Sequence, residues 1–398
     1  MSSHLSASAS IGGEALPFGL YLHLPFCLSK CPYCDFASEP LEEAGGLPAA
    51  RRYLDALAIE LDLRAASAEF HGASVTTVYL GGGTPTMLPA EWLADLIARL
   101  RVRFALAAEP EITVEANPGT AEEAKLGALF AAGVNRLSLG VQSFSDEVLR
   151  TLGRAHTAAE AEAAIGAARA AGRGDLNLDL IYGVPRQSLE QWRDSLCRAV
   201  DAGPDHIACY ALSVEPGTPL AADIEGGRLP APDDDLSADM YLLAADMLGE
   251  AGYRHYEISN FARPGGECRH NRRYWSNAEY LGLGASAHSY RGGVRWNNLP
   301  SAGVYTKWLE RGRIPVARAE ALSARQRVGE ALMLGLRCAE GVSEEEIEAR
   351  CGLSPRAVFL AEIDRLCSEG LVIAADGRLR MPPDKWLISN EVLAHFVT

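Results

Sequence analysis

Long apolar runs are missing from this chain. None approaches the roughly 20 residues that a membrane-spanning helix needs, so nothing in the sequence calls for a bilayer. Residues 1–15 are rich in Ser and Ala and lack a basic segment followed by an apolar one. They carry no secretory signal pattern, and residues 1–17 read as a disordered tail. A cytoplasmic location is expected, where thiols stay reduced. Positive charge is also scarce. Lys and Arg number 37 against 52 Asp and Glu, for a net charge of −15. A general nucleic-acid binder presents a basic face, so no nucleic-acid partner is expected. A local basic pocket for an anionic ligand remains compatible with that balance. What is present is ordinary for a globular protein: 48% apolar and 22% charged residues in a chain of 398. That length suffices for one large core and a second, smaller one.

From Leu20 to about Tyr253, short β-rich runs alternate with longer helical runs. Strands are expected at 20–26, 76–80, 112–116, 136–141, 176–181 and 206–212. Helices are expected between and after them, at 51–66, 91–103, 121–132, 158–171, 189–202 and 238–251. Thr120 with Glu123, and Ser188 with Gln191, have capping-box spacing. Gly133, Gly172, Gly203 and Gly252 stand where helices should stop.

Six strand–helix units in series imply a parallel sheet, either an open doubly wound one or a curved, incomplete barrel. Unusual residues follow nearly every strand: Cys27 to Cys34, Gly81 to Thr84, Glu115 and Asn117, Gln142 and Ser143, Tyr182 to Pro185. An open sheet concentrates its site at one switch point, so contributions from many successive strands favour the barrel. The expected fold is an α/β partial (β/α)6 barrel over residues 18–255. A connecting segment at 256–314 and an α-rich, winged-helix-like domain at 315–398 follow. That last domain should hold helices at 324–336, 343–350 and 355–368, a hairpin turning at Asp376-Gly377, and a final helix at 390–396. Winged-helix domains often bind DNA, but the helix at 355–368 has no basic excess, so a structural or lid-like role is expected.

Nine cysteines are present, and six are scattered as small hydrophobes would be. Cys27, Cys31 and Cys34 are clustered, in Phe26-Cys27-Leu28-Ser29-Lys30-Cys31-Pro32-Tyr33-Cys34-Asp35-Phe36. Pro25 and Pro32 disfavour a helix, so a loop is expected. A structural zinc site takes four protein ligands and an ordinary [4Fe–4S] site four cysteines. Three cysteines leave one metal position open. Zinc completed by a distant residue, or three unrelated thiols, would also fit the count. The C-x3-C-x2-C spacing, with an aromatic before the last cysteine, resembles the signature of the radical-SAM superfamily. The resemblance implies a [4Fe–4S] cluster on Cys27, Cys31 and Cys34. Its fourth iron would be chelated by the amino and carboxylate groups of S-adenosylmethionine (SAM).

Other residues extend the likeness. Gly81-Gly82-Gly83-Thr84-Pro85-Thr86 follows the second strand. Three glycines permit close approach of a ligand, although alone they fit a plain turn. Glu115 and Asp179 sit in apolar strands, where an unpartnered carboxylate is expensive to bury. Arg154 can clamp a carboxylate with a bidentate guanidinium. Taken singly, each fits a surface or structural polar residue. As a set, with Tyr21 six residues before Cys27, they resemble the HemN/HemW branch of that superfamily. This likeness runs from about Leu20 to the C-terminal helices. It implies SAM contacts from Tyr21, Gly82, Gly83, Thr84, Glu115, Gln142, Arg154 and Asp179, with Tyr33 against the cluster. Residues 18–255 would be the radical-SAM core and 315–398 a HemN-type C-terminal domain.

Two functions occur in that branch. One is oxygen-independent coproporphyrinogen III dehydrogenation. The other is haem chaperoning, in which haem is bound and delivered to acceptor haemoproteins. The dehydrogenases carry a further cysteine two residues past the triad and a long N-terminal extension. Here Phe36 stands at that position, and only about 20 residues precede the first strand. His270-Asn271-Arg272-Arg273-Tyr274-Trp275 matches the HNxxYW element associated with haem in the chaperones. Imidazole is a common axial haem ligand, arginines pair with propionates, and Tyr274 and Trp275 offer flat faces. Cys268 is an alternative ligand. By residue type alone, the segment fits a satisfied core histidine among aromatics. With the resemblance, His270 is expected to bind haem, and a chaperone is expected ahead of a dehydrogenase. Implied partners are haem and haem-accepting proteins, membrane respiratory enzymes among them, with a homodimer as one expected state. His23 is expected to be packed, and His288 to line the cavity or serve the structure.

Overall fold

The apolar runs form a parallel sheet in strict chain order. The computed structural model describes residues 10, 11, 14–172 and 174–397. Its six central strands are Phe18–Leu24 (β1), Ser74–Gly82 (β2), Ala105–Ala116 (β3), Arg136–Gln142 (β4), Asp175–Tyr182 (β5) and His206–Ala211 (β6). Each pairs in parallel with the next. Helices Gly46–Ala65 (α1), Ala90–Arg103 (α2), Glu123–Ala131 (α3), Ala158–Ala171 (α4), Leu189–Ala202 (α5) and Asp234–Glu250 (α6) follow the strands in turn. With no reversal of strand order there is no switch point, so the sheet is wound in one direction, as a barrel is. β1 and β6 do not pair with each other, and the barrel stays open.

Alternation within the strands separates two environments. In β1, Phe18, Leu20, Leu22 and Leu24 are completely buried in the hydrophobic core. Tyr21 and His23 share the opposite face. In β3 to β5 the polar residues Thr113 and Glu115, Ser138 and Gln142, and Asn177 and Asp179 occupy alternate positions. The barrel therefore has an apolar jacket and a polar lumen.

Residues 256–314, expected as a connector, belong mostly to this same sheet. Arg254–Glu257 (β7) and Asn260–Ala262 (β8) form a hairpin, and β8 runs antiparallel to β6. Arg269–Trp275 is a helix (α7). Tyr280–Leu283 (β9) then inserts at the far side, parallel to β1. His288–Arg291 (β10), Val294–Asn298 (β11) and Val316–Ala321 (β12) continue antiparallel from it. The order is β7-β8-β6-β5-β4-β3-β2-β1-β9-β10-β11-β12. These edge strands are too short, and too rich in Gly, Asn and Arg, to show a period of two in the sequence.

Glu60 ties α1 to the added strands. Its buried carboxylate accepts from Tyr305 Oη at 2.6 Å, Asn298 Nδ2 at 2.8 Å and the Gly284 amide at 2.9 Å. Tyr305 lies on helix Ala302–Leu309 (α8). Burial pushes the Glu60 carboxyl up, and Arg64 with these donors pulls it back.

The C-terminal part holds helices Ala324–Gly335 (α9), Glu344–Cys351 (α10) and Pro355–Ser368 (α11). A small sheet of Val342–Ser343, Arg378–Arg380 and Ile373–Ala375 stands beside them. The expected hairpin turn is there, with positive φ at Asp376 (52°) and Gly377 (71°). His255 of β7 stacks on Phe261 at 4.0 Å and meets the edge of Trp386 at 4.6 Å, joining this part to the barrel edge.

The Ser188–Gln191 capping box forms as its spacing requires. The Thr120–Glu123 box does not form. Thr120 ends a short turn and bonds back to Asn117, so α3 begins without a side-chain cap. Of the tail expected over 1–17, residues 1–9, 12 and 13 lie outside the described residues. Ser10–Ile11 pairs with Glu14–Ala15 in a short antiparallel hairpin. Among the described residues, no helix is long and apolar enough to cross a membrane.

Removing the Glu60 carboxylate strands three buried donors. Glu60→Ala should lower the unfolding free energy by about 3 kcal/mol. The midpoint of urea unfolding should fall accordingly, with the slope unchanged.

Candidate functional site

The loop after β1 is clamped at both ends. Phe26–Cys27 pairs in parallel with Glu39–Pro40. His23 Nε2 donates to the Ala37 carbonyl at 2.8 Å, which makes Nδ1 the acceptor from Tyr21 Oη at 3.0 Å. The imidazole is therefore neutral, and burial holds its pKa down. Lys30 Nζ bonds Phe36 O at 2.9 Å and the Cys34 amide bonds Cys31 O at 3.1 Å, giving the loop internal order.

The glycines let this loop pack, as well as leaving room for a ligand. Gly82 has φ 104°, and a Cβ there would lie 2.4 Å from His23 Nδ1. A Cβ on Gly83 would lie 2.7 Å from Phe26 O. Gly153, with φ 64°, would drive a Cβ to 2.5 Å from Pro32 Cδ.

A cavity of about 610 Å³ opens over the C-terminal ends of the strands. Cys27, Cys31 and Cys34 line it together with Tyr33, Gly82, Gly83, Thr84, Glu115, Gln142, Arg154 and Asp179. The structure thus brings eleven of the thirteen expected site residues onto one wall. Thr84 Oγ1 donates to Cys27 Sγ at 3.8 Å and accepts from Asn117 Nδ2 at 2.7 Å. Arg154 Nη1 donates to Cys31 Sγ at 3.4 Å, while Nη2 binds Gly140 O at 3.0 Å and also Asn117 Oδ1. Burial pushes the Cys27 and Cys34 thiols up, and the hydrogen bond from Thr84 to Cys27 opposes it there. Among the described residues, no three His, Cys, Asp or Glu side chains are placed to hold one ion between them.

Two carboxylates stand deeper. Glu115 Oε1 accepts from Tyr79 Oη at 2.7 Å and Oε2 from the Gly82 amide at 3.2 Å. Burial pushes its carboxyl up to about 7, against the pull of Tyr79. Asp179 accepts from Asn177 Nδ2 at 2.8 Å and Ser138 Oγ at 3.0 Å, and burial raises it as well. Gln142 carries φ 65° at an irregularity in the β4–β5 pairing, which turns the end of β4 toward the cavity. Thr113 Oγ1, Asn260 Oδ1 and Arg154 Nε line the same space without a protein partner. A polar ligand with hydroxyl, amino and carboxylate groups fits such a wall.

Tyr79, Ser138 and Asn177 also line the cavity, although no motif marks them. Their signal was available as polar residues at every second position of otherwise apolar strands.

Tyr21 stands behind this wall, bonded to His23, its ring 6.2 Å from that of Tyr79. His288 is exposed on β10 and does not line the cavity. His23 is packed, as expected.

His270 lies apart from the cavity wall. Only 1% exposed, it stacks on Tyr79 at 5.2 Å. Both ring nitrogens are engaged at 2.9 Å, Nδ1 with Thr77 Oγ1 and Nε2 with Tyr274 Oη. Burial drives its pKa down to about 3. As folded, it offers no open nitrogen to an iron. Arg272 pairs with Glu340 at 2.9 Å, and Arg273 bonds Thr76 Oγ1 at 2.9 Å and Pro17 O at 2.5 Å. Cys268 caps α7, accepting from the Asn271 amide at 3.5 Å. The motif works here as a staple between β2 and the rest of the chain.

A partial barrel that opens beside a three-thiol loop is the architecture of radical-SAM proteins. Residues 21–197 match the family model of the radical SAM superfamily, and residues 322–388 that of the HemN C-terminal domain. The heme chaperone HemW of Mycobacterium tuberculosis is 42% identical over 363 residues, covering 91% of this chain and 92% of that protein. The heme chaperone HemW of Escherichia coli is 43% identical over 273 residues, covering 68% and 70%. Coproporphyrinogen III oxidase (HemN) from Escherichia coli superposes with a TM-score of 0.83 at 28% identity, covering 96% of this chain and 90% of that one. The chain belongs to the HemW family of the radical-SAM superfamily, whose cofactors are a [4Fe–4S] cluster and SAM.

Glu115 makes the metal-free fold sensitive to pH. Its carboxyl holds a proton to about pH 7 when folded, against an ordinary 4.5 when unfolded. Between those values the folded chain binds more protons, so this contribution is complete below 4.5 and is lost as pH rises to 7. The loss amounts to about 3 kcal/mol. Glu115→Gln should abolish it. In urea unfolding at both ends of that window, the variant should gain about that much on the wild type as pH rises.

Proposed function

We propose that this chain is a cytoplasmic haem chaperone that carries a [4Fe–4S] cluster with SAM and delivers haem to acceptor haemoproteins. The observation that carries the reading is identity at 42% to a heme chaperone across 91% of the chain. Phe36 supports it, standing where the dehydrogenases have their further cysteine.

Cys27, Cys31 and Cys34 would hold three irons of the cluster, and the fourth would receive SAM. When reduced, such a cluster supplies an electron to the SAM sulfonium. The chain's own part is to hold and tune. Thr84 and Arg154 donate to two of the sulfurs, which stabilises thiolate over thiol. Glu115 and Asp179 present carboxylate oxygens suited to ribose hydroxyls. Gly82 and Gly83 keep side chains out of the space beside the loop, and Tyr33 shields the cluster side. Residues 18–255 serve as the radical-SAM core, and 315–398 as a HemN-type C-terminal domain that closes one side. Acceptors would include membrane respiratory enzymes, met by a chain that works as a homodimer.

Dehydrogenation of coproporphyrinogen III is the second reading, favoured by the superposition on HemN with a TM-score of 0.83. Anaerobic reconstitution separates the two. The reconstituted protein should bind haem at micromolar concentration or below. With SAM and a reductant it should form no protoporphyrinogen from coproporphyrinogen III; formation of that product would reverse the assignment. Replacing Cys27, Cys31 or Cys34 by Ala should cut bound iron and sulfide at least fivefold in elemental analysis.

A further inference from the structure

Of the two carboxylates on the cofactor wall, Asp179 is held by Ser138 and Asn177, and Glu115 by Tyr79 and the Gly82 amide. Tyr79, on β2, is half-buried and lines the cavity. Its hydroxyl bonds Glu115 Oε1 at 2.7 Å, against 3.2 Å for the Gly82 amide on Oε2. Among the described residues it is the only side chain that donates to this carboxylate. Gly81 is where the pair meets. A Cβ there would lie 2.8 Å from both Glu115 Oε2 and Tyr79 Cε1, so glycine leaves room for both side chains.

Two other rings fix the ring of Tyr79. It stacks against Tyr21 of β1 at 6.2 Å and His270 of α7 at 5.2 Å, each at an interplanar angle of 29°. Tyr21 is anchored in turn through His23 to Ala37 of the cysteine loop. His270 is anchored by Thr77 and Tyr274. A ring held in this way keeps its hydroxyl at one point, and a pre-organised donor needs no reordering when a ligand arrives.

The ionisation of Glu115 depends on that donor. Burial pushes the carboxyl up to about 7, Asp179 of β5 adds to the push, and the bonds from Tyr79 and Gly82 oppose it. Tyr21 of β1 and Tyr274 of α7 also face it, and burial keeps both phenols protonated. Burial raises Tyr79 as well, so its hydroxyl retains the proton it donates. Without the Tyr79 bond the group shifts toward the neutral acid. A neutral acid has fewer acceptor sites than a carboxylate, and a ribose diol needs acceptors.

We propose that Tyr79 is a positioning residue for SAM: its hydroxyl keeps Glu115 ionised and turned so that the carboxylate accepts from the ribose hydroxyls. This rests on the SAM reading of the cavity and adds to it a residue that acts through Glu115.

The test measures SAM binding to the full-length, anaerobically reconstituted chain by calorimetry across neutral and mildly alkaline pH. Electron paramagnetic resonance of the reduced cluster gives a second readout of bound SAM. Tyr79→Phe keeps the ring and removes the donor. It should weaken SAM binding about tenfold at about pH 7, and the loss should shrink below about threefold by about pH 8.5, as Glu115 ionises again. In a Glu115→Gln background the same change should cost less than about twofold at either pH, because the amide does not titrate. Cluster iron and thermal melting report folding. Wild-type affinity at every pH in Tyr79→Phe would overturn the proposal. A loss of equal size at every pH would overturn it too, since that marks packing alone. A wild type that binds no SAM would remove the SAM reading along with it.

Discussion

His23 donates its single ring proton to Ala37 O, and that bond sets where the cysteine loop ends. The loop begins at β1, and its far end returns beside Cys27 through the pairing of Phe26–Cys27 with Glu39–Pro40. Three thiols can be presented to one cluster only if the intervening backbone cannot drift. The neighbours enforce this sterically. Gly82 makes room for the His23 ring, Gly83 for the loop carbonyls, and Gly153 for Pro32. Each glycine is a place where one element of the barrel touches the loop, so loop geometry is set by the ends of several strands at once.

The polar lumen follows from the same arrangement. Placing Glu115 and Asp179 inside a barrel costs desolvation, visible in the upward push on both carboxyls. Tyr79, Ser138 and Asn177 offset part of that cost by donating hydrogen bonds. Other polar atoms on the wall stay without protein partners, so the site is complete only with a polar ligand in it. His206 connects this lumen to the outer side of α7. One of its nitrogens bonds Asn177 Oδ1 at 2.6 Å and the other Tyr256 Oη at 2.8 Å.

Much of the core was legible in local pattern. Apolar runs of a single strand's length marked β1 to β6, and Ser188 with Gln191 marked the start of α5. The cysteine spacing and the polar residues after each strand pointed to one mouth of a barrel. Local pattern misled where a residue had two partners to choose from. Thr120 bonded back to Asn117 instead of capping α3. Nor does any local spacing announce that His270 bonds Thr77, almost 200 positions away.

By itself, the sequence determined the strand–helix order, the three-thiol loop and the family, because these depend on residue type at short spacing. Only the tertiary structure decided that β9 inserts beside β1, that Glu60 holds α1 to those added strands, and that His206 links Asn177 to Tyr256. Those outcomes depend on which buried donors and acceptors find each other across long stretches of chain. A buried polar group must be satisfied by whatever lies nearest in space, and nearness in space is not written in any local run of residues.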